Sequence, residues 1–256
     1  MTAIPSVMCV HAHPDDEALF TGGILARTAE AGGRTSVVTC TWREGEVRVE
    51  ELRRSLSVLG AGEPRLLGYT DNAFDGGVLF GTSPFDEAVG KVVAHIREFR
   101  PDVVVTYDAF GTYGHPDHIH AHRVTLAAFE ASPFAQLFPE AGDPWQPSHL
   151  CQATIPRSAI EATWDILFGN SAPPPGPGIP GIPDEEVDLA IDVGQWYDKK
   201  WSAFAQHESE IARGGGATRI AKMSEEDRRD TLRTEWFLHR AHRGSRRLGE
   251  DPFLPR

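Results

Sequence analysis

VMCVHAHPDDEALFTGGILARTAEAGGRTSVVTCTW, residues 7–42, holds the decision on fold. Its first five residues, Val7–His11, read as a strand. A helical pattern follows from about Asp16 to Ala31 and stops at Gly32–Gly33. TSVVTCTW, Thr35–Trp42, is a second strand, apolar enough to be buried on both faces. Working outward, Val49, Leu52, Leu56 and Leu59 make a helical stripe over 49–59. Leu66–Tyr69 is a short strand. Val89, Val92, Val93, Ile96 and Phe99 make a second stripe, stopped by Pro101. Val103–Tyr107 is a fourth strand and His118–Ala131 a fourth helix. Alternating strands and helices predict an α/β fold: an open, mostly parallel sheet with helices on both faces. In such sheets ligands bind beyond the carboxyl ends of the strands.

The second half is less regular. A core of 1–135 and a C-terminal portion of 136–256 are expected within a single domain. His149–Ile155 and Val187–Val193 read as strands, Gln195–Ile211 as a helix, and Ser224–His239 as a helix capped by Ser224. SAPPPGPGIPGIP (171–183) reads as a surface loop, and Gly214–Gly216 as a mobile segment.

Two motifs lie where that sheet rule places chemistry. HAHPDDE (11–17) follows the first strand, and GHPDH (114–118) follows the fourth. Pro14 helps form a tight turn, so His13 and Asp16 can aim at one point. An imidazole and a carboxylate suit Zn²⁺, and a third ligand from the second motif leaves one position open for water. Asp15, between the two ligands, stays free to act as general base. A competing reading makes Asp15 or Asp16 a helix cap. That reading is hard to apply to two such motifs on two strand ends. His118 and His122 have the i, i+4 spacing of helical zinc sites, but Ile119 stands where that pattern needs Glu. His11 reads as a buried, hydrogen-bonded residue closing the first strand.

AHPDDE with a distant HPDH resembles the PIG-L/LmbE-type zinc-dependent N-acetylglucosaminyl deacetylases, closely over residues 5–131. The resemblance implies a Rossmann-like sheet and one zinc or other divalent ion held by His13, Asp16 and His118. It implies Asp15 as base, and His115, oriented by Asp117, as an imidazolium that stabilises the oxyanion with help from Tyr113. It further implies Arg48 and Asp75 as sugar-binding residues. His207, in QHESE (206–210), is expected to line the pocket or support the zinc. The short segment after the second strand favours deacetylases of glycosylated natural products, glycopeptide pseudoaglycones above all. The alternative is the mycothiol-pathway deacetylase of N-acetylglucosaminyl-inositol or a related thiol-conjugate amidase.

The chain has 256 residues and a net charge of -12, from 37 acidic and 25 basic residues. That surface repels phosphate backbones, so nucleic acid is not an expected partner; the family resemblance implies a small N-acetylamino-sugar conjugate instead. No apolar run approaches the roughly 20 residues that span a bilayer, and no secretory signal is visible. Cys9, Cys40 and Cys151 read as reduced core thiols of a cytoplasmic protein. A metal-dependent phosphoesterase would usually need more carboxylates for two ions. A non-catalytic zinc module would close its fourth position with protein.

Overall fold

The computed structural model describes residues 4–71, 77–168, 180–241 and 250–254. The chain runs β1 (Val7–His11), α1 (Asp16–Glu30), β2 (Thr35–Thr41), α2 (Val47–Leu59), β3 (Arg65–Tyr69), α3 (Phe85–Phe99) and β4 (Val103–Tyr107). A four-residue turn of helix, α4 (Gly111–Gly114), precedes α5 (Pro116–Ala131). Then come β5 (His149–Thr154), α6 (Arg157–Phe168), β6 (Leu189–Asp192), α7 (Tyr197–Phe204), α8 (Glu208–Ala212), α9 (Gly216–Ala221), α10 (Glu225–Leu232) and β7 (Thr234–Ala241).

The seven strands form one sheet in the order β3-β2-β1-β4-β5-β7-β6. β1 to β5 are parallel, and β7 pairs antiparallel with both β5 and β6. Alternation along the buried strands sorts side chains to two faces. Val7 and Cys9 join α1, α2 and α7 in one core, while Met8 and Val10 join α3 and α5 in the other. The three cysteines are free and buried, as read. No helix among the described residues is long and apolar enough to cross a membrane.

Two expectations for the second half need correction. The run 195–211 is not one helix: α7 ends at Phe204, and α8 starts after His207. Ser224 does cap α10, its hydroxyl accepting from the Asp227 N–H, but the helix ends at Leu232 and the chain continues as β7. TEWFLHRA is rich in strand formers, and pairing with β5 and β6 overrides the helical pattern before it. Helix α6 was not anticipated. The loop 171–183 lies mostly outside the described residues, as does Asp75.

Close packing across the sheet depends on Gly23. A Cβ there would come within 2.3 Å of the Val193 side chain, so glycine lets the segment after β6 sit against α1. On the opposite layer the Arg97 guanidinium, 2% exposed, donates to the carbonyls of Ser132, Phe134, Leu137, Phe138 and Gly142 at 2.6–3.2 Å. One side chain thereby satisfies the irregular backbone between α5 and β5. Arg97→Met should strand several of those acceptors and cost at least about 3 kcal/mol. The expected reading is a lower urea midpoint with an unchanged slope.

Candidate metal centre and active site

Strand order reverses between β1 and β4, so their carboxyl ends open a crevice. The HPDD turn leaves β1 and the HPDH turn follows β4, which brings both motifs into that crevice. His13 Nδ1 and His118 Nε2 are 3.2 Å apart, and Asp16 Oδ2 is 3.4 Å from each. Each imidazole is pinned from behind. His13 Nε2 donates to Asp117 Oδ2 at 3.2 Å, and His118 Nδ1 donates to the Gly111 carbonyl at 3.3 Å. Those bonds fix the tautomers, so the two inner nitrogens present lone pairs to each other. Lone pairs facing across 3.2 Å beside a carboxylate repel unless a cation lies among them. Three ligands at about 2.0–2.1 Å from one tetrahedral ion stand about 3.3–3.4 Å apart, close to the distances found. The donor set therefore fits a divalent cation of the zinc type.

Electrostatics agree. Burial opposes charge on His13, yet Asp117 and Asp16 hold its pKa up at about 10, so the pocket favours positive charge at that nitrogen. Burial also opposes the Asp16 carboxylate, but the two histidines hold its pKa well below the usual range.

The local backbone explains the aim of these groups. Asp15 precedes α1 with φ 114°, a left-handed conformation rare outside glycine, and makes no side-chain cap bond. The capping reading fails for it, and its carboxylate is left toward the cavity. Glu17 Oε2 accepts the Asp15 N–H at 2.9 Å and holds the turn. Behind it, Glu17 Oε1 takes bonds from Ser55 Oγ at 2.5 Å and His207 Nε2 at 2.7 Å, all buried. At the other motif, Gly111 adopts φ +67°, and a Cβ there would strike His118 Cβ at 2.7 Å. Glycine is what lets the loop reach over α5.

Asp15 has its pKa pushed up to about 7, chiefly by burial, against the nearby Arg48. The Arg48 guanidinium donates to the Pro14 carbonyl, lies 3.5 Å from Asp15 Oδ1 and pairs with Glu210 at 2.8 Å. Arg48 and Tyr113 line the cavity, the latter 44% exposed with its ring edge against His118.

Three expectations change here. His207 does not line the cavity: it is fully buried and spent on Glu17. Asp117 does not orient His115 through its carboxylate, which bonds His13. Its backbone N–H instead donates to His115 Nδ1 at 3.2 Å. With Nδ1 accepting that bond, Nε2 is left as the proton-bearing nitrogen, and burial with the adjacent histidines lowers the His115 pKa to about 4. The helical His118/His122 pair does not form a ligand set: among the described residues the group that can hold a metal through His118 takes His13 and His115, not His122. His11 is buried and bonded to Thr21, as read.

Tyr107 and Asp71 were missed. The Tyr107 hydroxyl accepts the Ala12 N–H at 2.7 Å and donates to Asp16 Oδ2 at 2.6 Å, and its ring stacks on His118 at 4.1 Å. Its position at the end of β4 was the available signal. Asp71, just after β3, has Oδ1 3.8 Å from His13 Nε2 and lines the cavity.

Residues 8–129 match the family model described as PIG-L, GlcNAc-PI de-N-acetylase. A 1D-myo-inositol 2-acetamido-2-deoxy-alpha-D-glucopyranoside deacetylase from Rhodococcus jostii is 38% identical, the alignment covering 91% of this chain and 90% of the relative. The chain belongs to the PIG-L family. It is thus a hydrolase of the deacetylase class. Solved structures share its fold at low identity. An N,N'-diacetylchitobiose deacetylase from Pyrococcus horikoshii has a TM-score of 0.64 at 17% identity, covering 93% of this chain and 84% of that one. A teicoplanin deacetylase in a zinc-inhibited form has a TM-score of 0.58 at 15% identity, covering 94% and 100%.

Tyr107→Phe removes a bond to Asp16 and the partner of Ala12 while keeping the ring on His118. Removing such an outer partner typically weakens metal affinity 10–100-fold. Competition with a chelator should show that loss with the fold intact by circular dichroism.

Proposed function

We propose that the chain is a metal-dependent de-N-acetylase that releases acetate from N-acetylglucosamine joined to inositol. The observation that carries the chemistry is the triangle of His13 Nδ1, His118 Nε2 and Asp16 Oδ2 with an unligated, pKa-raised Asp15 beside it. The inositol aglycone is supported by the Rhodococcus relative, similar along nearly its whole length. The glycopeptide reading, favoured by loop length, has only fold likeness at 15–20% identity behind it and gives way.

A cation held by His13, Asp16 and His118, for which zinc suits the two nitrogens and one oxygen, would polarise the acetamide carbonyl and acidify a water. Asp15 takes the proton from the attacking water and turns it toward the carbonyl carbon. His115 Nε2–H and the Tyr113 hydroxyl face the developing oxyanion and donate to it. Desolvation at the hydroxyl and the nearby Asp16 and Asp15 carboxylates raise the Tyr113 pKa, so the phenol remains a donor. Protonated Asp15 then returns its proton to the departing amine as the C–N bond breaks. Arg48 limits the rise of the Asp15 pKa and, through Glu210, ties the base to the cavity rim. Asp71 and Arg48 are the polar groups placed to meet sugar hydroxyls.

Asp15→Ala should lower kcat by at least about 100-fold, the typical worth of a positioned base, while metal content stays at wild-type level. His118→Ala should lose the metal, read by mass spectrometry of the native protein. Acetate release from N-acetylglucosaminyl-inositol, diacetylchitobiose and a glycopeptide should be greatest with the first. Turnover of the glycopeptide alone would reverse the choice of aglycone.

A further inference from the structure

Asp15 is not alone in its strain at this end of the sheet. Trp42, just past β2, has φ 70°, a left-handed conformation that a bulky residue rarely adopts. Its surroundings hold it there. The Trp42 N–H donates to the Tyr69 carbonyl at 2.9 Å. Thr41 donates to the Ala12 carbonyl through its N–H at 3.0 Å and its hydroxyl at 2.7 Å. The end of β2 is thus tied to the ends of both neighbouring strands at the residue where its path turns. A backbone kept in a costly conformation by two strands calls for a use of the side chain it aims.

That side chain is aimed at Arg48. The guanidinium carbon lies 5.2 Å from the centre of the Trp42 ring, within the range of a cation–π contact. Arg48 is 4% exposed, and its two terminal nitrogens are already committed. One donates to the Pro14 carbonyl beside Asp15, and the other pairs with Glu210. Its Nε finds no acceptor among the described residues, so the aromatic face is what compensates the buried stem side of the guanidinium. Trp42 is not among the residues lining the cavity, so it reaches a substrate only through Arg48.

We propose that Trp42 is a positioning residue: its ring sets the plane of the Arg48 guanidinium, so that one edge holds the turn carrying Asp15 while the other meets Glu210. The inference rests on the deacetylase reading above. A flexible aliphatic stem leaves Arg48 several rotamers, whereas a ring against one face leaves its planar fork one orientation. Without the ring the hold on Pro14 loosens, and a base displaced by about 1 Å costs up to about 100-fold in rate. Two strained residues, Asp15 and Trp42, thereby serve one guanidinium.

The test uses the full chain loaded with zinc and N-acetylglucosaminyl-inositol as substrate. Trp42→Leu should lower kcat/KM about tenfold, the larger part in kcat, with metal content and circular dichroism as in the wild type. Trp42→Phe keeps an aromatic face and should recover most of that loss. Trp42→Gly relieves the left-handed strain, so it should unfold at higher urea than Trp42→Leu yet be no more active. Arg48→Lys keeps the charge and loses the plane, so adding Trp42→Leu to it should cost nothing further. Wild-type kcat/KM in Trp42→Leu, full additivity with Arg48→Lys, or a Phe variant as slow as the Leu variant would overturn the proposal. Should Trp42→Leu fail to fold, Trp42→Phe against Trp42→Gly decides in the same way, equal rates overturning it. Absence of amide cleavage by the wild type would instead overturn the deacetylase reading. The clamp is then read by NMR of the arginine side chains. The Arg48 Nε–H resonance, identified by its loss in Arg48→Lys, should carry a ring-current shift that Trp42→Leu removes, and no such shift in the wild type would end the proposal.

Discussion

Everything at the centre of this molecule is organised by two imidazole lone pairs facing each other across 3.2 Å. The arrangement is repulsive unless a cation lies between them: a proton on His13, favoured by Asp117 and Asp16, serves when no metal is bound, and a divalent ion takes its place. Asp117 and the Gly111 carbonyl hold the outer nitrogens as donors, so neither ring can turn its proton inward without losing a buried bond. Asp16 adds a third inward lone pair, and Tyr107 keeps that carboxylate in place. A folded site that spends buried hydrogen bonds to hold donors in mutual repulsion is preorganised for a cation. Binding energy of the ion then adds to folding energy, because the unfolded chain has no such site.

The sheet makes this possible by its order. Residues thirteen and one hundred and eighteen meet because β1 and β4 are neighbours and parallel, with Val7 opposite Val103. The loops leaving those strands diverge toward opposite helix layers, and the crevice between them is where the ends of strands expose unpaired backbone. Burial of β1 and β4 on both faces fixes the register. Behind the crevice, Glu17 serves as a second anchor. It ties the strained Asp15 backbone to α2 through Ser55 and to the α7–α8 junction through His207. The base is thus held by groups from three separate segments rather than by its own turn.

The first half of the fold was legible because its strands are β-branched runs and its helices carry clean apolar stripes. The metal triad and Asp15 were legible because HPDD and HPDH combine few residue types at fixed spacing on strand ends. What escaped detection escaped for physical reasons. Tyr107 and Glu17 carry no signature of their own, since a tyrosine ending a buried strand and a glutamate opening a helix are ordinary. Their roles arise only from contacts across about 91 residues and 190 residues of sequence separation. His207 reads as a residue of the pocket or the zinc support because QHESE resembles a late-helix segment of the family. Tertiary packing turned it inward, where its raised pKa and the depressed pKa of Glu17 mark an ion pair. β7 was read as helix because local periodicity cannot report pairing with β5, some 85 residues earlier in the chain.

The cavity joins two environments that ask opposite things of a substrate. Around the triad, Asp16, Asp71 and Asp117 face His13 while Asp15 faces Arg48, so carboxylates outnumber cations there until a metal arrives. A bound cation largely balances that charge, and the amine product then forms beside Asp15 and Glu210, which favour it as an ammonium. Product release therefore competes with attraction to the very carboxylates that drove the chemistry. Arg48 moderates this, because its guanidinium already occupies Asp15 on one side and Glu210 on the other. Leu19 and Phe20, one helical turn away on α1, line the same cavity and contribute no charge near the reacting bond.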